Sequence, residues 1–173
     1  MNAVSVSFVM KNNIKSWLKA GYGWFFLAWL LLDYVTKIWA ASTNVNLTVI
    51  PNFFYLAYSR NTGAAWSLFS GQLPLLAMIS FAVGVGFGYM YLKNYATFDR
   101  WHHLAITLFL SGTWGNFIDR AFYEEGVIDF LSFHFGEYIF PTFNIADTGL
   151  TLGVIGLIVL SVLEGKMGTK QRG

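Results

Sequence analysis

The chain has 173 residues, of which 55% are hydrophobic and only 12% charged, with a formal charge of +2 and no cysteine. A soluble domain carries about a quarter charged residues, so this is a membrane composition, one domain with room for a few spans and short loops. The missing cysteine excludes disulfides, thiolate metal sites and a cysteine nucleophile, and the small scattered charge argues against a nucleic-acid partner.

Residues 1–23 are mixed in character and lack a small-residue cleavage site, so they read as a retained cytoplasmic tail and not a removed signal peptide. A helix crossing about 30 Å of hydrocarbon needs roughly 20 residues. The first such span is 24–41, interrupted late by Asp33 and Lys37. The segment NVNLTVIPNFFYLAYSRNTGAAWSLF follows, with short β-branched and aromatic runs and turn signals at Pro51 and NTG; it reads as a small β element at the interface. The second span is 73–92, and the third, 104–122, is uncharged until Asp119 and Arg120. The connection beyond it contains a turn at EEG and the run VIDFLSF, either a strand or a short helix. The fourth span is 142–163, interrupted early by Asp147; Pro141 fits its start, where a missing N–H costs nothing. Residues 165–173 form a second tail. The fold class is therefore all-α membrane, a bundle of four transmembrane helices.

Lys11, Lys15, Lys19, Lys93, Arg100, Lys166, Lys170 and Arg172 all fall on one side of these spans, which the positive-inside rule assigns to the cytoplasm, together with both termini. The other side holds Lys37, Arg60 and Arg120, and most of the acids. Ionisable groups in a span are costly and are functional candidates by default. Helix spacing of three or four residues aligns Asn116 with Asp119 and Arg120, and Asn144 with Asp147. At about 1.5 Å per residue, Asp147 is expected roughly 8 Å below the start of its helix. Asp129 emerges from the connection on the same side. Asp33 and Lys37 can form an i,i+4 pair, and Asp119 can pair with Arg120 or Lys37. His102 and His103 read as interfacial residues and not metal ligands, because no third ligand is near. Gly84 and Gly88, and Gly149 and Gly153, have the spacing of helix-packing positions. A Ser–Lys pair from Ser59 or Ser67 with Lys37 is not selected by any spacing.

The blocks DYVTK (33–37), NTGAAWSLF (61–69), GTWGNFIDR (112–120), GVIDF (126–130) and FPTFNIAD (140–147) resemble, in order and in position relative to four spans, the signature blocks of bacterial lipoprotein signal peptidase, or signal peptidase II. The resemblance covers about residues 24–163. It implies an intramembrane aspartic endopeptidase that removes the signal peptide from diacylglyceryl-modified prolipoproteins, cutting just before the lipidated Cys. It places the catalytic pair on Asp129 and Asp147, and supporting roles on Asp33, Lys37, Asn61, Gly63, Asn116, Asp119, Arg120 and Asn144. It further implies a four-helix bundle with an extracytoplasmic β-cradle and a short outer helix or loop, and no metal or cofactor. The location would be the bacterial inner membrane, with the active site at the outer face. The partners would be diacylated prolipoprotein signal peptides, membrane lipids and cyclic peptide inhibitors of the globomycin type, with the enzyme a monomer. Tyr34, Trp66, Ser111 with Gly112, and Phe140 depart from the family's usual Gln, Phe, Gly-Gly and Trp. None removes a candidate carboxylate, and Tyr34 and Trp66 bear on substrate contact.

The chemistry needs such a pair. Two neighbouring carboxylates share a proton, so that one acts as general base on water while the other donates to the scissile carbonyl. The residues alone also admit a proton-coupled transporter, a non-catalytic lipid-binding membrane protein or a membrane phosphatase. The transporter is disfavoured by acids clustered at one face. The phosphatase is disfavoured by the inside placement of His102 and His103.

Overall fold

The computed structural model describes residues 3–63 and 68–170. In chain order it forms α1 (Ala3–Lys19), α2 (Tyr22–Thr43), β1 (Asn46–Ile50), β2 (Phe54–Asn61), α3 (Leu73–Lys93), a 3-10 turn (Tyr95–Thr97), α4 (Arg100–Phe122), β3 (Val127–Phe135), β4 (Tyr138–Ile139) and α5 (Ile145–Lys170). The residues read as an N-terminal tail thus form a helix, separated from α2 by Gly21 in the left-handed region (φ 87°). Pro74 lies in the first turn of α3. The Asp99 carboxylate starts α4 by accepting the Trp101 and His102 N–H groups at 2.8 and 3.0 Å.

The bundle is inverted relative to a soluble protein. Leu27, Leu31, Val35, Met78, Phe81, Ile155 and Ile158 are exposed on its outer faces. Its interior buries Asp33, Lys37, Thr107, Ser111, Asn116 and Asp119. Such an arrangement is stable only where the surroundings are hydrocarbon, since exposed apolar area carries no penalty there. Among the described residues, three helices are long and apolar enough to cross a membrane: α2, α3 and residues Ile145–Gly165 of α5. The third expected span, α4, is not among them. It is the central helix, packed against α2, α3 and α5, and carries the polar residues that the others enclose. Close approach of α5 to α4 requires a hydrogen in place of a side chain at Gly153, where a Cβ would stand 2.6 Å from the Ala105 carbonyl oxygen and the Phe109 nitrogen.

The four strands form one antiparallel sheet in the order β1-β2-β3-β4. The run VIDFLSF is therefore a strand, and no helix forms between residues 123 and 144. Its β-branched and aromatic residues pair with the similar run in β2, Phe54 opposite Phe133 and Ser59 opposite Asp129, with a register shift between Leu56 and Ser59. Ala40, Val45 and Phe130 form a small core, joined by Leu56, Tyr58, Leu131 and Ile145, that seats the sheet on the ends of α2 and α5. A second core of Tyr91, Tyr95, Ile106 and Leu110 gathers Trp17 and Phe26. It lies at the end of the bundle where α1, the 3-10 turn and the start of α4 meet.

Candidate active site

The start of α5 differs from expectation. The helix begins at Ile145, four residues after Pro141, because Asn144 and Asp147 close it reciprocally. The Asp147 N–H donates to Asn144 Oδ1 at 2.8 Å, and the Asn144 N–H donates to Asp147 Oδ2 at 3.2 Å. This satisfies two of the donors that a helix start leaves free. Asp147 is thus in the first turn and not deep in the span, where it lies among the positive ends of the peptide dipoles.

Asp129 is not a solvated loop acid. It lies on β3 and is 2% exposed. The chain returns to β3 before entering α5: the Phe130 and Leu131 N–H groups donate to the Phe143 carbonyl at 3.1 and 2.8 Å, and the Phe143 N–H donates to Leu131 at 3.0 Å. That short bridge sets the next residue, Asn144, beside Asp129. Asn144 Nδ2 donates to Asp129 Oδ1 at 2.7 Å and lies 3.2 Å from both the Ile128 carbonyl and Asn116 Oδ1. Asn61, on β2, donates from Nδ2 to Asp129 Oδ2 at 3.2 Å. The Gly63 N–H donates to Asn61 Oδ1 at 2.9 Å, which orients that amide. On the α4 side, Asn116 Nδ2 donates to Asp147 Oδ1 at 2.7 Å.

Behind the pair lies a buried ion cluster. Lys37 Nζ is 2.8 Å from Asp33 Oδ2, 2.9 Å from Asp119 Oδ2 and 3.2 Å from Asn116 Oδ1. Asp33 Oδ1 accepts the Ala146 N–H at 2.7 Å, and Asp119 Oδ2 accepts the Ile128 N–H at 3.3 Å. Of the alternatives open for Asp33 and Asp119, both are pairs with Lys37. Its ammonium is fully engaged, so no Ser59–Lys37 pair exists. Ser67 and Trp66 lie outside the described residues.

Arg120 departs from its expected place as an ion-pair partner. Its Nη1 donates to Ser80 Oγ at 3.1 Å, no carboxylate is within ion-pair distance among the described residues, and its Nε is buried without a partner. Neighbouring helix positions diverge by about 100°, so Asp119 faces Lys37 while Arg120 faces α3. Ser80 had no motif to mark it. Nor had the Ile128 and Ala146 amides, since backbone donors carry no sequence signal. Tyr34 is 49% exposed on α2 and does not line the carboxylate cavity. His103 Nδ1 is 2.8 Å from the Tyr91 hydroxyl in the second core, and His102 lies between Asp99 and Glu164.

A cavity of about 920 Å³ opens onto the two carboxylates. Ser59 and Asn61 line it from the sheet, Thr62 from just beyond β2, and Phe143, Leu150 and Thr151 line it from the α5 side. Burial, then the nearby Asp147 carboxylate, push the Asp129 carboxyl up to about 7 against the hydrogen bonds from Asn61 and Asn144 and the charge of Lys37. A buried acid and a half-buried one side by side in a cavity of mixed polarity, set in a bundle with apolar outer faces, have the layout of a membrane-embedded acid–base hydrolase.

The model of the signal peptidase (SPase) II family matches residues 25–163. A lipoprotein signal peptidase of Bacillus pumilus is 43% identical over 141 residues, covering 79% of this chain and 89% of the relative. One from Clostridium novyi is 36% identical over 141 residues, covering 79% and 94%. A bacterial membrane enzyme solved by the in meso method at 2.3 Å shares the fold with a TM-score of 0.77 and 33% identity, covering 84% of this chain and 90% of that one. The chain belongs to the signal peptidase II family, and it is a peptidase.

Replacing Lys37 with Met leaves two buried carboxylates uncompensated, and is expected to destabilise the fold by about 3–5 kcal/mol. Thermal unfolding in detergent measures this; a variant as stable as the parent contradicts the cluster. Stability should also respond to pH through Asp129. Its folded pKa of about 7 exceeds the ordinary carboxyl value of 3.8, so its contribution is complete below 3.8 and is lost as pH rises through about 7. Asp129→Asn, which cannot ionise, should therefore raise the melting temperature relative to wild type more at pH 8 than at pH 4. An equal shift at both pH values contradicts the raised pKa.

Proposed function

We propose that Asp129 and Asp147 are the catalytic pair of this peptidase. Its substrate is a prolipoprotein whose lipobox Cys carries diacylglycerol, and cleavage falls just before that Cys. The observation that carries the assignment is the Asn144 side chain, which closes the first turn of α5 around Asp147 and donates to Asp129 at 2.7 Å. One amide thereby holds both acids in register at the cavity. With a single proton on the pair, the ionised carboxylate takes a proton from water as the oxygen attacks the scissile carbonyl carbon. The protonated partner donates to the carbonyl oxygen, and the C–N bond then breaks as the leaving amine is protonated. Asn61, oriented by Gly63, and Asn116 keep the carboxylates aimed, while Lys37, Asp33 and Asp119 hold the elements that carry them. Arg120 sits within electrostatic reach of Asp147 and Asp129 and contributes positive potential rather than an ion pair. The acyl chains of the substrate lie against the apolar helix faces beside the cavity, where burial supplies most of the affinity.

In this reading α4 also crosses the bilayer, giving four spans in a bacterial inner membrane. Its 23 residues reach about 34 Å at 1.5 Å per residue, and its polar groups are covered by α2, α3 and α5. Both termini and the 3-10 turn face the cytoplasm, and the sheet faces outward. Cyclic peptides of the globomycin type occupy the same cavity, and one monomer carries a complete site.

Asp129→Asn and Asp147→Asn should each abolish cleavage of a diacylated lipobox substrate, with the cut bond mapped by mass spectrometry. The double variant should be little worse than either single one, because the two act as a unit. The wild-type rate should fall as pH rises above about 7, when the shared proton leaves, and again at low pH, when both acids are protonated. Substantial turnover by either folded single variant would move the assignment elsewhere. The orientation is open to a separate check. Thr97, exposed in the 3-10 turn, can be changed to Cys in this cysteine-free chain. A membrane-impermeant thiol reagent should leave it unlabelled in intact spheroplasts and label it after lysis; labelling before lysis inverts the topology.

A further inference from the structure

Helix α1 lies outside the family match, which begins at residue 25. It is held at the end of the bundle remote from the carboxylates: Asn13 Nδ2 donates to the Leu92 carbonyl at 2.7 Å, and Trp17 packs on Phe26 with ring centroids 5.9 Å apart. Its remaining face is exposed and has two characters. Lys11, Lys15 and Lys19 stand at i, i+4 and i+8, one stripe along the helix. Phe8, Ile14 and Leu18 are exposed beside that stripe, at 66%, 38% and 40%. No acid occurs in residues 1–23, and none of the three lysines meets a carboxylate within 4 Å among the described residues. A groove of about 750 Å³ runs between α1 and α3, lined by Val6, Met10 and Ile14, with Lys11 and Lys15 beside Tyr89. The Lys93 ammonium lies 5.9 Å from the Tyr89 ring centroid, adding a further cation to that rim.

A helix in water would not expose Phe8, Ile14 and Leu18 among lysines without benefit. A helix lying in the plane of a bilayer surface would: the apolar residues enter the acyl boundary, and the lysine stems carry their charges up to the headgroups. Charge complementarity names the headgroup. Lys11 and Lys15 at the groove, Lys19 further along the same stripe and Lys93 over the Tyr89 ring fit an anionic phosphate diester far better than a zwitterion, with roughly fivefold per lysine expected near an anionic surface. We propose that α1 and the end of α3 form a binding surface for anionic phospholipids in the leaflet opposite the carboxylate site. It anchors the bundle in the membrane independently of substrate. The proposal needs only that the bundle spans a bilayer, and makes no use of the Asp129–Asp147 assignment.

Phe8→Cys, in the full chain, gives a single labelling position for an environment-sensitive nitrobenzoxadiazole dye. The labelled protein is placed in nanodiscs of phosphatidylcholine alone, or of equal parts phosphatidylglycerol and phosphatidylcholine. Emission should move to the blue with phosphatidylglycerol and return as salt is raised, because screening weakens surface attraction. The added change of Lys11, Lys15 and Lys19 to Gln should abolish the lipid-dependent shift, lowering the inserted-to-free ratio by tenfold or more. The same three positions changed to Arg should retain it. Identical emission in the two lipids overturns the proposal, as does a shift that survives in the Gln variant or is lost in the Arg variant. Soluble glycerol phosphate producing the shift in phosphatidylcholine discs also overturns it, since the groove would then serve a free anion. Cleavage is a separate readout: a lost shift with retained cleavage refutes only the lipid surface, and retained shift with retained cleavage in an Asp129→Asn background refutes only the dyad.

Discussion

Everything at the carboxylate site depends on one buried ammonium. Lys37 is 1% exposed, and its partners come from different elements: Asp33 one turn earlier on α2, and Asp119 and Asn116 on α4. Removing a lysine from water costs several kcal/mol, which only close pairing and full hydrogen bonding offset. The same carboxylates then reach further. Asp33 takes the Ala146 amide at the start of α5, and Asp119 takes the Ile128 amide on β3. The ammonium therefore fixes, through two acids, the two backbone segments that carry Asp147 and Asp129.

That arrangement separates two tasks that a single acid could not combine. Asp33 and Asp119 neutralise Lys37 and tie segments together, while Asp129 and Asp147 are held by amides and open onto the cavity. An amide donor supports a carboxylate without supplying a full counter-charge. Asp129 consequently keeps a raised pKa, as the proposed sharing of a proton near neutral pH requires. Had Lys37 reached the pair directly, both acids would ionise readily and the proposed proton donation would be lost. The amide layer formed by Asn61, Asn116 and Asn144 is thus an electrostatic spacer as well as a scaffold.

The surroundings make the spacing effective. Among the described residues α2, α3 and α5 present apolar faces outward, and α4, more polar than these three, is enclosed by them. The ion cluster sits where the bundle meets the sheet, buried between α2, α4, α5 and β3, where charge is costly unless paired. Helix α1 adds a different interaction at the opposite end, set by lysines and exposed apolar side chains rather than by buried pairs. The two ends of the molecule accordingly meet their surroundings by different physics.

Composition and periodicity alone determined that this chain belongs in a membrane and where its three most apolar helices run, because lipid rewards unbroken apolar stretches whatever their neighbours, whereas the helical character of residues 3–19 was not legible. The i,i+4 rule made the Asp33–Lys37 pair legible, and the ordered motif blocks made the family legible, since both are local features. The strand character of VIDFLSF was only half legible, because a short apolar run suits a strand or a helix until a partner such as β2 is known. The start of α5 is legible only to within a few residues for a related reason: Pro141 is a local signal, but the capping exchange between Asn144 and Asp147, together with the Phe143 bridge to β3, defines the first turn. Arg120 shows the same limit from the other side. Adjacency to Asp119 suggested an ion pair, yet the helix turns the two side chains toward different neighbours, α2 and α3. Which acid meets Lys37, and which acid is left to amides, is a matter of how α2, α4, α5 and β3 pack together. Only the tertiary structure decides it, because hydrogen bonds act over about 3 Å and these partners lie tens of residues apart in the chain.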